Sequence, residues 1–455
     1  MSSEKKRIPA DALTSLCEEF KKNNQISPDQ FEKYQVKRGL RNSNGSGVMA
    51  GLTLICNVHG YVMSEGEQSP VDGRLIYRGV DIHDLVNGCA RDKRFGFEES
   101  VWLLLFGTLP TSGQLENFCQ LLSEYRELPN YFVEDNMIKA PSSNIMNQMA
   151  RAVLALYSYD ENPDDLSMEN TLRQSLELIA MLPCIMTYSY QVNRRHYDNK
   201  SMYFHPMVPG MSTSEAILHT IRSDTEFTDE EARLLDLCLV LHAEHGGGNN
   251  STFAARVLSS SGTDTYSAIA AAIGSLKGPR HGGANIKVAE MMEHIKAGVA
   301  NWENDDEVAS FIEKLILREE GDRSGLIYGM GHAVYTLSDP RAVILKQAAF
   351  GLAEKKGFGD EFRLIEAVER LTPDVFAKVK GINKVVSANV DMYSGLVYRA
   401  LGISEELFTP LFAVARTVGW CAHRIEENLT GGRIIRPAYK AVAPYQNYVD
   451  LASRA

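Results

Sequence analysis

The feature that most constrains the fold is an almost unbroken succession of helical patterns from Phe97 towards the C-terminus. Apolar residues recur at helical spacing in one segment after another, and TDEEARLLDLCLVLHAEH is the clearest of them. Two segments open with the spacing of a capping box, which marks a helix start: Thr111 with Gln114, and Thr228 with Glu231. The sequence therefore predicts a mainly α-helical protein.

Only two stretches before Phe97 have the composition of strands. GLTLICNVHGYV and GRLIYRGVDI are rich in β-branched and aromatic residues and have turn residues between them, which predicts a small β-hairpin. The first 50 residues are polar and end in RNSNGSG, a composition typical of a loop. We therefore expect an N-terminal arm over residues 1–50, followed by a minor β-hairpin and then helices.

Composition excludes several classes of protein. No apolar run approaches the roughly 20 residues of a membrane span, and no secretory signal is evident, so we expect no membrane association. Seven scattered cysteines without a CxxC pair indicate reduced thiols and a cytoplasmic protein. A net charge of -11 argues against nucleic acid as a partner. Neither a P-loop pattern nor a dinucleotide-binding βαβ arrangement is found.

Two histidines lie in glycine-rich turns, His281 in GPRHGGAN and His332 in GMGHAVY. A histidine near a helix N-terminus tends to stay neutral, and a neutral imidazole can donate a hydrogen bond to a carbonyl that becomes an enolate. The alternative is that each histidine only caps a turn. A second pair, His242 and His245 of HAEH, has i,i+3 spacing on one predicted helical face, but without HExxH it is weak evidence for a metal site.

Four charged residues stand in apolar or rigid surroundings. Asp391 in SANVDMYSG either caps a helix or acts as a general base in a partly desolvated site. Arg341, Arg416 and Arg436 have planar guanidinium groups that match carboxylates. Each arginine therefore binds either an internal Asp or Glu or an anionic substrate.

Taken together, these segments resemble the successive blocks of the citrate synthase family, in the family's order. The blocks are HAEHGGGNNSTFAARV, GPRHGGANIKVAEMM, GMGHAVYTLSDPRA, ANVDMYSGLVYRALG and LFTPLFAVARTVGWCAHRIEENL followed by RIIRP. The resemblance implies an all-α homodimer with two domains in each subunit. The implied large domain comprises residues 51–277 and 384–455, and the implied small domain comprises residues 278–383. The active site is then expected in the cleft between them.

The resemblance also implies a reaction and the residues that carry it. In the family, acetyl-CoA condenses with oxaloacetate and water to give citrate and CoA. By resemblance Asp391 is the base that removes a proton from the methyl group of acetyl-CoA. His281 stabilises the resulting enolate, and His332 polarises the ketone of oxaloacetate. Neither a metal nor a cofactor is implied.

Further positions match the family's binding residues. The resemblance implies that oxaloacetate is bound by His245, Asn249, Arg341 and Arg416, together with Arg436 of the partner subunit. It implies that the backbone of a short loop embraces CoA: Ile327, Tyr328, Gly329, Met330 and Gly331. Two readings compete with citrate synthesis. One is 2-methylcitrate synthesis from propionyl-CoA, because one methylene changes binding by only about 1–3 kcal/mol. The other is an inactive helical scaffold, although all three catalytic positions are retained.

Overall fold

A computed structural model describes residues 9–42, 45–64, 67–381 and 386–454. By its internal contacts the chain divides after Leu52. The first unit, described by itself, contains helices α1 (Ala10–Asn23) and α2 (Pro28–Lys33). None of the described residues of these two helices is buried, and α1 exposes Leu13, Leu16 and Phe20.

The second unit begins with a three-stranded antiparallel sheet. Strand β1 (Cys56–Ser64) pairs with β2 (Glu67–Tyr77) in the register that places Cys56 opposite Tyr77. Strand β3 (Val80–Asp81) adds a short third strand to β2. The predicted β-hairpin is therefore confirmed, and it is extended by one strand.

Helices make up most of the second unit, which confirms the all-α prediction. They are α3 (Ile82–Asp92), α4 (Phe97–Phe106), α5 (Ser112–Glu124), α6 (Ile145–Leu156), α7 (Met168–Tyr197), α8 (Thr213–Ile221), α9 (Asp229–His242), α10 (Asn250–Ser259), α11 (Thr265–Leu276), α12 (Ala284–Gly298), α13 (Asp305–Ile316), α14 (Pro340–Lys355), α15 (Gly359–Lys380), α16 (Asp391–Ala400) and α17 (Phe408–Leu429). Both predicted capping boxes form, Thr111 with Gln114 on α5 and Thr228 with Glu231 on α9.

Helix α17 lies at the centre of the core. Every residue from Phe408 to Arg424 is buried, and the helix packs against α7, α9, α10 and α11. Gly419 allows this close packing, because a Cβ atom there would lie 2.7 Å from the carbonyl oxygen of Ala243. A helix that is apolar on all sides is expected only where other helices surround it.

The end of α9 corrects one detail of the sequence analysis. The helix ends at His242, so His245 lies three residues beyond it and the two histidines do not share a helical face. The hydroxyl of Tyr77 occupies this end: it lies 3.0 Å from the carbonyl oxygen of Val240 and accepts a hydrogen bond from the backbone N–H of Glu244 at 3.2 Å. Contact with the sheet therefore coincides with the helix end.

Helix α16 packs against both α12 and α14. The predicted boundary between residues 383 and 384 lies outside the described residues. The division into large and small domains therefore stays a prediction. Among the described residues, no helix has the length and apolar character needed to span a bilayer.

Candidate active site

The ends of several helices bring six of the predicted site residues into one region. His245 follows α9, His281 precedes α12, His332 precedes α14, Arg341 lies in the first turn of α14, Asp391 begins α16, and Arg416 lies within α17. The ring centroids of His245 and His332 are 5.0 Å apart. The charges of Arg341 and Arg416 act on both His245 and Asp391, so residues from distant segments of the chain lie close together.

His332 is held in one tautomer. Its Nδ1 accepts hydrogen bonds from the backbone N–H groups of Val334 and Tyr335, both at 3.1 Å. A ring nitrogen that accepts hydrogen bonds carries no proton, so the neutral ring has its proton on Nε2. The ring also stacks on Tyr335, with centroids 4.7 Å apart. His332 can therefore donate a hydrogen bond from a ring of fixed orientation.

His281 is held in the opposite tautomer. The backbone N–H of Ser251 donates to its Nε2 at 3.3 Å, and the Ser251 hydroxyl lies 3.0 Å from the same nitrogen. Burial, and then the charge of Arg416, lower the pKa of His281 to about 4. The imidazole is thus neutral near pH 7 with its proton on Nδ1. The indole N–H of Trp420 donates to the Ser251 hydroxyl at 3.1 Å and so orients the serine that contacts His281.

Two further histidines of the region, His242 and His245, are buried. His245 Nε2 lies 3.3 Å from the Tyr335 hydroxyl, and burial followed by the charge of Arg341 lowers the pKa of His245 well below its usual value. Burial and Arg341 also hold the pKa of His242 far below normal. Within the described part of the chain, neither ring nitrogen of His242 has a hydrogen-bond partner. The region therefore contains neutral imidazoles rather than imidazolium cations.

Asp391 does not cap its helix. The residue at the N-cap of α16 is Val390, and no side chain caps this helix. The backbone N–H of Asp391 donates to Asn389 Oδ1 at 3.0 Å, whereas its carboxylate makes no hydrogen bond or ion pair with any described residue. Burial raises the pKa of Asp391 to about 6, although the charge of Arg341 opposes this shift. A carboxylate with such a pKa is suited to general-base catalysis near pH 7.

The two buried arginines of the predicted site differ in their partners. Arg341 pairs with Asp339 through Nε at 3.0 Å and Nη2 at 2.7 Å, so this arginine has an internal counter-ion. Arg416 donates from Nε to the carbonyl oxygen of His242 at 2.7 Å. Its two Nη atoms are buried and have no hydrogen-bond partner among the described residues. An unanswered buried guanidinium is costly, and an anionic ligand is the group that would satisfy it.

The predicted CoA loop, Ile327–Gly331, is bound to the segment that precedes Asp391. Gly331 N–H donates to the carbonyl oxygen of Ser387 at 2.7 Å, and Asn389 N–H donates to that of Gly329 at 2.8 Å. Gly329 has a φ of +80°, and a Cβ atom there would lie 2.7 Å from Met392 Sδ. Within the loop, Ile327 is buried, Met330 forms a β-bridge with Ala388, and Tyr328 donates to Asp322 at 2.6 Å. Loop and candidate base are thus held together.

Two predicted residues have other surroundings. Asn249 is the N-cap of α10, and its Oδ1 accepts from the backbone N–H of Ser251 at 3.3 Å. It therefore supports the serine that contacts His281. Arg436 is exposed in the C-terminal segment and makes no recorded contact with the histidines among the described residues.

Sequence analysis missed a buried ionic chain beside the cluster. Glu244 Oε1 lies 3.0 Å from His423 Nε2, and Arg256 Nη2 lies 2.7 Å from His423 Nδ1. Arg256 Nη1 also donates to Glu427 at 2.7 Å. The only sequence signal was the presence of charged residues in otherwise apolar helices. In the described ranges, no group of three or more His, Cys, Asp or Glu side chains is arranged to hold a metal ion.

Fold and site together define a class of protein: an all-α protein in which a buried guanidinium with two unpartnered Nη atoms lies near a candidate base and neutral histidines. Comparison with known proteins then gives the family. The family model described as "Citrate synthase, C-terminal domain" matches residues 45–438. The chain belongs to the citrate synthase family.

Individual relatives agree with this assignment. Citrate synthase from Synechocystis is 34% identical over 390 residues, covering 84% of this chain and 89% of the relative. The 2-methylcitrate synthase of Shewanella oneidensis is 30% identical over 390 residues, covering 84% of this chain and 92% of the relative.

Solved structures are similar throughout their length. Citrate synthase from Pyrobaculum aerophilum matches with a TM-score of 0.73 and 30% identity, over 90% of this chain and 95% of that chain. The enzyme from Thermoplasma acidophilum, solved as a ternary complex with carboxymethyl coenzyme A and oxaloacetate, matches with a TM-score of 0.74 and 25% identity, over 92% of this chain and 99% of that chain.

Proposed function

We propose that this protein is an enzyme that condenses acetyl-CoA with oxaloacetate and water to form citrate and CoA. The observation that carries the proposal is the buried guanidinium of Arg416, whose two Nη atoms have no partner among the described residues, beside neutral histidines. Such a site is suited to a small keto acid. The guanidinium can bind a carboxylate, and a neutral histidine can polarise the ketone by a hydrogen bond without protonating it. The relative solved with oxaloacetate and a CoA analogue supports the same choice of substrates.

The first step is removal of a proton from the methyl carbon of acetyl-CoA. Asp391 is the base, because burial raises its pKa to about 6 and its carboxylate is not engaged by any described residue. Nδ1–H of His281 donates to the thioester oxygen and so stabilises the enolate. The lowered pKa of about 4 keeps the His281 ring neutral near pH 7, so it acts as a hydrogen-bond donor and not as an imidazolium acid.

The second step forms the carbon–carbon bond. The enolate carbon attacks the ketone carbon of oxaloacetate, and Nε2–H of His332 donates to the ketone oxygen as negative charge develops there. Arg416, with Arg341, His245 and Arg436 of the partner subunit, binds the oxaloacetate carboxylates. In the third step, water hydrolyses the citryl thioester and releases CoA, without a metal or a cofactor.

The remaining predicted features fit this scheme as parts of the proposal. Asn249 acts through Ser251 on His281, and the loop Ile327–Gly331 binds CoA. The enzyme is a homodimer, and the small domain over residues 278–383 closes on the large domain once oxaloacetate is bound.

Thiol release tests the proposal directly. Purified protein is assayed with oxaloacetate and either acetyl-CoA or propionyl-CoA, beside Asp391→Asn. We expect the higher kcat/KM with acetyl-CoA, and a loss of roughly 100- to 10,000-fold in the variant, the range of general-base catalysis. The variant should still bind oxaloacetate.

Two other results would select the competing readings. A higher kcat/KM with propionyl-CoA would favour 2-methylcitrate synthesis, a reading that similarity to the Shewanella enzyme supports. Absence of CoA release from either thioester would favour an inactive scaffold.

A further inference from the structure

A cluster of three side chains lies behind the candidate base. The hydroxyl of Tyr393, on α16, donates a hydrogen bond to Oε2 of Glu369 on α15. Nζ of Lys346, on α14, lies 2.9 Å from the same carboxylate oxygen and 5.6 Å from the centroid of the Tyr393 ring. We call these residues the Tyr393 cluster. It joins three helices through one carboxylate.

The cluster is connected to two site residues through short stretches of helix. Tyr393 follows Asp391 by two positions in the first turn of α16, so the two side chains leave the helix on nearly opposite sides. Lys346 lies on the same helix as Arg341, five positions later. The cluster therefore joins the helix that begins with the base to the helix that carries a buried cation.

The geometry favours a strong and persistent hydrogen bond. The Tyr393 ring is fully buried, and burial together with the Glu369 carboxylate raises the pKa of its phenol, so the hydroxyl remains a donor at any physiological pH. A hydrogen bond to an ionised acceptor is stronger than one between neutral groups. Lys346 places a cation 2.9 Å from this carboxylate, and it also pairs with Glu366 at 3.2 Å.

We propose that Tyr393 is a positioning residue of the reaction: its hydrogen bond to Glu369, supported by Lys346, fixes the first turn of α16 and thereby sets where Asp391 meets the methyl group of the acyl-CoA. This inference rests on the proposed function. A misplacement of the base by about 1 Å can lower a rate by roughly 100-fold without loss of substrate binding, because proton transfer depends steeply on geometry.

A second site in the same chain provides a matched control. Tyr266, on α11, is also buried; it donates to Asp160 at 2.7 Å, and Asp160 is paired with Arg173 at 2.8 Å. This cluster has the same tyrosine–carboxylate–cation composition. It makes no contact with the predicted site residues among the described residues. Tyr266→Phe therefore removes the same kind of hydrogen bond without a route to Asp391.

The test compares Tyr393→Phe with Tyr266→Phe in the full-length enzyme. We expect Tyr393→Phe to lower kcat by about ten-fold or more, while the affinity for oxaloacetate stays unchanged. Tyr266→Phe should keep the kcat of the parent protein. Glu369→Leu also removes the ion pair with Lys346, so it should lose at least as much kcat as Tyr393→Phe, and the double variant should be no worse than Glu369→Leu alone. Glu369→Gln retains an acceptor for the phenol and should keep more of the rate.

Three results would overturn the inference: Tyr393→Phe with the parent kcat, equal losses in Tyr393→Phe and Tyr266→Phe, or a rise in KM for oxaloacetate in place of a fall in kcat. If Tyr393→Phe does not fold, the ordering of Glu369→Gln above Glu369→Leu decides instead. These outcomes are distinct from failure of the proposed function, in which the parent protein itself releases no CoA. If the parent is active and Asp391→Asn is inactive, the proposed function holds, and the Tyr393 variants then test the positioning role separately.

Discussion

Two buried arginines on one helix differ in how many hydrogen bonds their surroundings provide. Arg416 and Arg424 both lie on α17 and are both fully buried. Arg424 donates from Nε to Thr265 at 3.1 Å, from Nη1 to Ser259 at 3.1 Å and from Nη2 to the carbonyl oxygen of Thr263 at 2.7 Å. Arg416 donates only from Nε, and its two Nη atoms have no partner in the described ranges.

The difference separates a structural cation from a binding cation. Neutral oxygens of α10, α11 and the loop between them satisfy Arg424, so its charge contributes to packing. Arg416 keeps a desolvated charge that the nearby Glu244 carboxylate offsets without a hydrogen bond, and its two unpartnered Nη atoms favour binding of an anion. Burial is therefore not a sufficient criterion of either role, whereas the hydrogen bonds of the guanidinium distinguish them.

The largest expected effect is that of Arg416→Met. We expect kcat/KM for oxaloacetate to fall by roughly 100- to 1,000-fold, as when one member of a buried charge pair is removed. The free energy of unfolding should not fall, because the variant removes a desolvated guanidinium whose two Nη atoms have no hydrogen-bond partner among the described residues. Steady-state kinetics and urea unfolding measure the two quantities. A stability loss without a kinetic effect would make Arg416 a structural residue like Arg424.

The next effect is stabilisation by oxaloacetate. At about 100 times its Kd, a ligand that binds only the folded state stabilises it by about 2.7 kcal/mol. We expect this gain in the parent protein and in Arg424→Met, and a much smaller one in Arg416→Met. Thermal unfolding with and without oxaloacetate measures it. Equal gains in all three proteins would contradict the assignment of Arg416 to the substrate.

Arg424→Met should affect stability instead of catalysis. Its loss leaves the acceptors on Ser259, Thr263 and Thr265 without a donor, and we expect the free energy of unfolding to fall by about 1–3 kcal/mol. KM for oxaloacetate should stay at the value of the parent protein. Parallel unfolding and kinetic measurements check this, and a changed KM would show that the two arginines are not functionally distinct.

The smallest effect is a shift in pH dependence. Asp391 must be unprotonated to act as a base, so kcat/KM should fall as the pH decreases through about 6, while His281, with a pKa of about 4, stays neutral. Burial raises the pKa of Asp391 and the charge of Arg416 lowers it. Arg416→Met should therefore move the acidic limb to higher pH, whereas Arg424→Met should leave it in place. A downward shift in Arg416→Met would reverse the sign of this argument.

Local patterns predicted more of the helices than of the site. Capping residues and apolar spacing located most helix starts, because those signals lie within a few residues. The sequence also indicated that His281 and His332 could be neutral donors. It could not specify their tautomers, because the group that determines the tautomer of His281 is Ser251, which lies 30 positions upstream. Placing His245 on a helical face was wrong, since Tyr77 lies at the end of α9.

Thus the sequence by itself determined that the chain is mainly helical, that it has a β-hairpin near its start, and which residues are of the right type for the chemistry. Only the tertiary structure decided which alternatives hold: that Val390 rather than Asp391 is the N-cap of α16, that Arg341 has an internal counter-ion, and that Arg416 does not have a full set of partners. The physical reason is that burial and hydrogen bonding depend on segments far apart in the chain, whereas helix formation depends mainly on near neighbours.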